Sequence, residues 1–149
     1  MKNFVTLKRI YQHFMLGIAN TIPMSGHGVR PFIIKWSGVN IVDPSNTFIG
    51  KGVIFDGVRP DLITIEPGVR LTTGASILTH FYNPMTGHYD KGSVTIKKDA
   101  FIGANAIITK PVTIGMCSVV GAGSVVTKDI PDFEIWAGNP AKFLKTLPH

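Results

Sequence analysis

The sequence has few of the features that mark secreted, membrane-spanning or disordered proteins. It contains one cysteine, Cys117, in 149 residues, which excludes a disulfide framework within the chain and fits a reducing compartment. No apolar run approaches the roughly 20 residues that cross a bilayer, so no transmembrane segment is expected. Charged residues make up only 16% of the chain against 44% hydrophobic residues, a balance typical of a compact globular protein.

Basic runs are also absent, although the formal net charge is +6. Lysine and arginine residues are scattered singly, and no basic stretch is interleaved with aromatic residues that would stack on bases. The chain is therefore not expected to bind nucleic acid. The positive charge fits better with affinity for a phosphorylated small molecule or a weak attraction to an anionic membrane surface.

The second half of the chain repeats with a period of six residues. Read as hexads from Ile96, it runs IKKDAF, IGANAI, ITKPVT, IGMCSV, VGAGSV and VTKDIP, with Ile or Val first and mostly small residues fifth. A looser series comprises IGKGVI from Ile49 and then IEPGVR, LTTGAS and ILTHFY from Ile65. Repetition of this length is a signature of a parallel β-helix.

The repeat has a simple physical basis. Each hexad supplies a short extended stretch and a tight corner, and three hexads close one triangular turn with the first aliphatic residue pointing inward. Gly, Asn and Asp tolerate the unusual dihedral angles of the corners. Residues 96–126 lack the helical stretches that separate the strands of an α/β sheet. The sequence predicts an all-β fold, a parallel β-helix of about four to five coils over residues 39–131.

The repeat breaks where functional elements are expected, because the coils themselves are needed for packing. The segment FDGVRPDL (55–62) bulges between coils, and the polar segment 82–95 is predicted to be a loop. Residues 132–149 are predicted to form a short strand and a short helix. In that helix Asn139 would be the N-cap and Pro140 the first helical residue.

Residues 1–38 are predicted to form an N-terminal helical segment. Apolar residues at positions 4, 7, 10, 11, 14 and 18 indicate an amphipathic helix from Phe4 to Ile18. Charged residues interrupt this segment, so it lacks the continuous apolar core of a signal peptide. We expect a cytoplasmic protein whose helix packs on the end of the coil; peripheral contact with a membrane is the alternative.

Four features together resemble one protein family: the hexads, ILTH before the loop, VVGAGSVVTKDIP and WAGNPAK. They are similar to the hexapeptide-repeat acyltransferases, left-handed β-helix proteins, and most similar to the maltose, galactoside, nodulation and xenobiotic O-acetyltransferase branch. The resemblance covers about residues 39–147. It implies acetyl transfer from acetyl-CoA to a hydroxyl of a saccharide or polysaccharide precursor. It also implies a homotrimer with active sites at the subunit interfaces.

The resemblance assigns roles at the active site. His80 matches the family's catalytic histidine, and neutral imidazole is suited to take a proton from a hydroxyl. The family's oxyanion donor, a backbone N–H after a hexad glycine, falls on Ala104. The group that orients the far ring nitrogen of His80 is not identified by the sequence. Acceptor-binding residues are predicted in the bulge and the loop: Asp56, Tyr82, Asn83 and His88.

The resemblance also places acetyl-CoA. Its pantetheine arm would lie along Gly103, Ala104, Gly121 and Ala122. Its adenine and phosphate end would contact Thr127, Lys128, Lys142 and Lys145, since lysine can pair with phosphate. No metal is expected, because the hexapeptide-repeat carbonic anhydrases need three histidines around zinc and this sequence does not supply them.

Two departures from the family pattern leave alternatives open. Phe101 stands where the family often has a tryptophan, and the bulge at 55–62 is not standard in the sugar acetyltransferase branch. N-acylation of an amino-sugar nucleotide and a non-catalytic β-helix scaffold are the two alternative functions. Cys117 has no paired histidine in its motif and is interpreted as a buried or edge thiol.

Overall fold

The computed structural model describes residues 7–22 and 28–148. Within these residues, two α-helices precede a series of short β-strands. The elements are α1 (Leu7–Thr21), α2 (Arg30–Trp36), β1 (Asn40–Ile41), β2 (Phe48–Ile49), β3 (Ile54–Phe55), β4 (Ile63–Ile65), β5 (Arg70–Leu71), β6 (Ser76–Ile77), β7 (His80–Asn83), β8 (His88–Lys91), β9 (Val94–Ile96), β10 (Phe101–Ile102), β11 (Ile107–Ile108), β12 (Thr113–Ile114), β13 (Val119–Val120), β14 (Val125–Val126), β15 (Glu134–Ala137) and β16 (Lys142–Thr146). No helix in the described ranges has the length and apolarity needed to cross a membrane.

The strands build three parallel sheets, which are the faces of a triangular coil. The first face holds β1, β4, β9 and β12, the second β2, β5, β10, β13 and β15, and the third β3, β6, β11 and β14. Successive coils are in register, so Ile102 lies between Leu71 and Val120. All three side chains are fully buried, and burial of one such side chain contributes about 1.5–3 kcal/mol. The sequence repeats every six residues because one aliphatic side chain of each hexad stacks on its equivalents in neighbouring coils, as the predicted parallel β-helix requires.

Two corners of the coil matter for the site. The glycine corner joins the second face to the third and consists of residues 50–53, 72–75, 103–106 and 121–124. The histidine corner joins the third face to the first face of the next coil and consists of residues 56–62, 78–93, 109–112 and 127–129. At the glycine corner a Cβ on Gly103 would lie 2.5 Å from the Ala122 nitrogen, so only glycine fits there.

Helix α1 is present, but most of the apolar side chains that suggested it do not pack. The predicted start, Phe4, lies outside the described residues. Leu7, Ile10, Tyr11 and Phe14 are exposed. The helix packs instead through its second half: Ala19 is buried, and Met15, Leu16, Ile18 and Ile22 are partly buried against the core. The regular spacing of apolar residues therefore predicted the helix but not the residues that it buries. Helix α2, which was not predicted as a separate helix, contacts α1.

The predicted C-terminal helix is wrong. Residues 142–146 form β16, which pairs antiparallel with β15, while β15 continues the second face beside β13. Asn139 and Pro140 lie in the turn between the two strands, after Gly138 at φ 107°. An Asn-Pro pair can begin a helix or form a turn, and here the open edge of β15 offers the following residues backbone hydrogen bonds that favour a strand.

The predicted loop at 82–95 is mostly a β-hairpin. Strands β7 and β8 pair antiparallel, with Tyr82 opposite Tyr89 and Asn83 opposite His88. Asn83 shapes the turn, since its Oδ1 accepts a hydrogen bond from the Met85 nitrogen at 3.0 Å. Gly87 supplies a left-handed conformation at φ 69°. The hairpin extends from the histidine corner. Its two four-residue strands add a surface beside the coil that the two-residue strands of the coil cannot form.

Candidate active site

The two breaks at the histidine corner bring His80 and Asp56 together. Phe55 in β3 lies opposite Ile77 in β6, so the residues after these strands are neighbours on successive coils. The Asp56 Oδ2 lies 2.5 Å from the Nδ1 of His80. The same oxygen accepts hydrogen bonds from the Thr79 nitrogen at 2.9 Å and the Thr79 hydroxyl at 2.5 Å. Asp56 is the group that orients His80, which the sequence alone did not identify.

The carboxylate of Asp56, predicted to bind the acceptor, points inward. Its side chain is only 1% exposed, and its Oδ1 accepts a hydrogen bond from the Val58 nitrogen at 2.8 Å. Asp56 is not among the residues that line the cleft, so its contact with an acceptor stays a prediction, whereas its contact with His80 is present in the structure. The bulge folds the carboxylate inward because Thr79, Val58 and His80 together satisfy both oxygens.

The environment of Asp56 fixes its charge and the tautomer of His80. Burial alone would raise the pKa of Asp56, but hydrogen bonds from Thr79, Val58 and His80 outweigh it and lower the pKa to about 2. The carboxylate is therefore ionised at neutral pH and can only accept a hydrogen bond, so Nδ1 of neutral His80 carries the proton. Nε2 is left with a lone pair and no hydrogen-bond partner within the described residues.

His80 opens into a cleft of about 300 Å³. The cleft is lined by Val58, His80, Tyr89 and Lys91, and the His80 side chain is 31% exposed. The Tyr89 ring lies 5.7 Å from the His80 ring and 5.5 Å from the Tyr82 ring, between their centroids. Tyr89 and Lys91 were missed by the sequence analysis. Their alternation along β8 would have pointed to them if segment 82–95 had been interpreted as a hairpin.

The other predicted acceptor residues lie on the hairpin outside the lining of the cleft. Tyr82 and His88 are exposed. The Asn83 amide donates to Asp90 at 2.8 Å, so this side chain stabilises the hairpin. Tyr82 contacts the cleft residue Tyr89, whereas His88 lies at the far end of β8.

The predicted pantetheine residues share the glycine corner. Gly103 and Ala104 are stacked against Gly121 and Ala122 of the next coil, and the Gly123 nitrogen donates to the Ala104 oxygen at 2.8 Å. A Cβ on Gly121 would lie 2.7 Å from the Cβ of Ala137. Among the described residues no acceptor is found for the Ala104 N–H. Gly103 is buried under the next coil, whereas Ala104 and Gly121 are partly exposed and Ala122 is exposed. This part of the corner presents small residues and an amide that can donate a hydrogen bond.

The predicted adenine and phosphate residues are divided between two regions. Thr127 and Lys128 lie at the histidine corner, and the Lys128 Nζ sits 4.9 Å from the centre of the Trp136 ring. Lys142 and Lys145 lie on β16 and are exposed. Ala104 and His80 are likewise at different corners. One chain therefore does not gather all the predicted residues into one cleft.

Metal ligands are not clustered in the described part of the chain. No group of three or more His, Cys, Asp or Glu side chains within residues 7–22 and 28–148 could hold a metal ion. The residues beside His80 are a hydroxyl, an aspartate and tyrosines, a set that suits proton transfer better than zinc coordination. Cys117 is partly exposed in a left-handed corner at φ 54°.

Comparison with known proteins agrees with the repeat. Residues 93–128 match the family described as bacterial transferase hexapeptide (six repeats). The chain is 33% identical over 102 residues to the galactoside O-acetyltransferase of Lactococcus lactis subsp. lactis (strain IL1403), covering 68% of this chain and 44% of that protein. It is 34% identical over 113 residues to the mitochondrial gamma carbonic anhydrase 2 of Arabidopsis thaliana, covering 74% and 35%. The chain thus spans less than half the length of these curated relatives.

A solved structure matches nearly the whole fold. A hexapeptide-repeat-containing acetyltransferase from Vibrio cholerae O1 biovar eltor, in complex with acetyl coenzyme A, superposes with a TM-score of 0.77 at 22% identity. The match covers 100% of this chain and 94% of that one. The shared fold is a left-handed parallel β-helix.

Proposed function

Because the chain belongs to the hexapeptide-repeat family, we propose that it transfers an acetyl group from acetyl-CoA to a hydroxyl of a saccharide or polysaccharide precursor. The observation that carries this proposal is the pairing of His80 with a buried, ionised Asp56 at the edge of a cleft. Similarity to a galactoside O-acetyltransferase supports the choice of reaction.

His80 is the general base in this proposal. Nε2 takes the proton of the acceptor hydroxyl as the oxygen attacks the thioester carbonyl carbon. The C–O bond forms, the C–S bond breaks, and the proton passes from imidazolium to the departing CoA thiolate. Asp56 holds the ring through Nδ1 and stabilises the imidazolium while it exists. No covalent acyl-enzyme is required, since the thiolate is an adequate leaving group.

Ala104 is the proposed oxyanion donor. Its backbone N–H is available to the tetrahedral oxygen, and one such donor contributes about 3 kcal/mol to transition-state stabilisation. His80 and Ala104 lie at different corners, so a single chain does not present both to one thioester. We infer that the working form is a homotrimer in which the histidine corner of one chain faces the glycine corner of its neighbour.

The glycine corner fits the pantetheine arm of acetyl-CoA. Gly103, Ala104, Gly121 and Ala122 carry no side chain larger than a methyl group. An extended arm can approach the backbone at the three of them that are at least partly exposed, Ala104, Gly121 and Ala122. Thr127, Lys128, Lys142 and Lys145 are the proposed partners of the adenine and phosphate groups. Three of these four residues are lysines, which supply the positive charge that phosphate requires.

The proposal is tested by the release of CoA thiol from acetyl-CoA across a panel of neutral sugars, sugar phosphates, nucleotide sugars and amino sugars. Release with a hydroxyl acceptor is expected. Release only with amino sugars would replace O-acetylation by N-acylation. No release with any acceptor, together with no rise in melting temperature on adding acetyl-CoA, would favour a non-catalytic scaffold.

A further inference from the structure

A second cleft adjoins the cleft of His80 and has no part in the reaction described above. Its volume is about 290 Å³, and it lies between α1 and the bulge at 55–62. It is lined by Lys8, Arg9, Gln12, Val58, Arg59 and Asp61. Val58 also lines the His80 cleft, so the two clefts meet at this side chain. A ligand of moderate length can therefore occupy both.

The charges of this second cleft favour an anion. Three cationic side chains face one carboxylate, which leaves a net charge of +2. Asp61 is already engaged, since Arg59 donates to it from Nε at 2.9 Å and from its terminal nitrogen at 2.7 Å. Lys8 and Arg9 form no ion pair within the described residues. The two cations on α1 are thus available to a ligand.

Gln12 lines the cleft without pointing to a ligand. The residue is only 6% exposed. A Cβ built on Gly38 would lie 2.8 Å from the Gln12 side-chain nitrogen, so this nitrogen lies against Gly38. The preference of the cleft for an anion therefore rests on its charged side chains.

We propose that the second cleft binds the phosphate group of a phosphorylated sugar acceptor, whose hydroxyl is presented to His80 in the adjoining cleft. The proposal rests on the acetyl transfer proposed above and names the chemical class of its acceptor. Lys8 and Arg9 supply charge, and Val58 separates the phosphate from the reacting hydroxyl. The phosphates of CoA have the same chemistry, so the test must distinguish the two sources.

The test measures binding by calorimetry in the absence of any reaction. Inorganic pyrophosphate is the ligand, because it carries the phosphate chemistry without a particular sugar. Wild type is compared with Lys8→Gln/Arg9→Gln and with the control Lys35→Gln/Lys98→Gln, which removes the same charge from exposed lysines elsewhere. Acetyl-CoA is titrated into the same three proteins. A fourth protein, Asp61→Asn, removes the one negative charge of the cleft.

Pyrophosphate is expected to bind at least tenfold more weakly to the Lys8/Arg9 variant, with the control unchanged and Asp61→Asn binding several-fold more tightly. The affinity for acetyl-CoA should stay the same. A loss of acetyl-CoA affinity in the Lys8/Arg9 variant would assign the cleft to CoA and overturn the proposal. So would failure of wild type to bind pyrophosphate. Because binding is measured without turnover, failure of the acetyl-transfer proposal would appear separately, as absence of thiol release.

Discussion

At the scale of single residues, the main feature of the site is the carboxylate of Asp56, which is buried and still charged. Asp56 receives hydrogen bonds from Thr79, Val58 and His80, and these offset the cost of burying its charge. A neutral amide at this position could accept from the same donors less strongly and would not stabilise an imidazolium. The charge of Asp56 therefore serves both the stability of the corner and the orientation of the His80 ring.

The folded protein should lose stability in acid through Asp56. Its pKa in the fold, about 2, lies below the ordinary value of 3.8, so its contribution is complete above pH ~4 and lost as the pH falls towards 2. The shift corresponds to about 2 kcal/mol. Urea unfolding at pH 5 and pH 2.5, at fixed protein concentration, should show a clearly smaller loss for Asp56→Asn than for wild type. Equal losses in both proteins would contradict the assigned ionisation.

At the scale of elements, one buried arginine ties α1 to the coil. The Arg30 guanidinium, 3% exposed, donates to three backbone oxygens: Ala19 at 3.0 Å, Ile22 at 2.7 Å and Ile49 at 2.8 Å. Two of these oxygens belong to the end of α1 and the residue after it, and the third to β2. A cation at the C-terminal end of a helix also interacts favourably with the helix dipole.

Arg30→Met should destabilise the fold by about 3 kcal/mol, because two buried carbonyl groups and one partly buried carbonyl group lose their partner. Arg70→Met removes an exposed arginine from β5 and should change stability by less than about 0.5 kcal/mol. Chemical denaturation of both variants measures the difference. Similar values for the two would show that Arg30 does not hold α1 in place.

The strand β16 carries two of the lysines proposed to bind CoA. Lys142→Ala should raise KM for acetyl-CoA about three- to tenfold with little change in kcat, because a phosphate contact is made equally in the ground and transition states. Lys98→Ala is the control, an exposed lysine at neither corner. Steady-state kinetics at varied acetyl-CoA concentration measures KM and kcat for both variants and for wild type. An unchanged KM in Lys142→Ala would remove β16 from the cofactor site.

At the scale of the whole molecule, the sequence predicted the repeating coil. It did not predict features that depend on contacts between residues far apart in the chain. The hexads specify the coil because each inward Ile or Val stacks on its equivalents in the coils above and below, as Ile102 does on Leu71 and Val120. Asp56 and His80 are 24 residues apart, and only the stacking of β3 on β6 makes them neighbours. The C-terminal segment was misjudged for the same reason, since β16 is a strand through pairing with β15.

The proposed trimer predicts complementation between two inactive variants. His80→Ala removes the base, and Ala122→Trp places a large ring at the glycine corner on an exposed position. If each site combines the two corners of different chains, each mixed trimer has one intact site of three, so a randomly assembled population should recover about a quarter of wild-type activity, while each variant alone stays inactive. The two variants are co-expressed so that their chains assemble together, and thiol release by the purified trimers is measured. No recovery, with mixed trimers present by mass spectrometry, would place the whole site within one chain.

The central claim is that His80, held by Asp56, removes the proton of the acceptor. The measurement that tests it most directly is kcat of His80→Ala beside wild type, with the melting temperature and acetyl-CoA affinity of each protein measured in parallel. We predict a fall in kcat of about 10²–10⁴-fold with the fold and cofactor affinity retained. Turnover close to that of wild type in a correctly folded variant would contradict the role of His80.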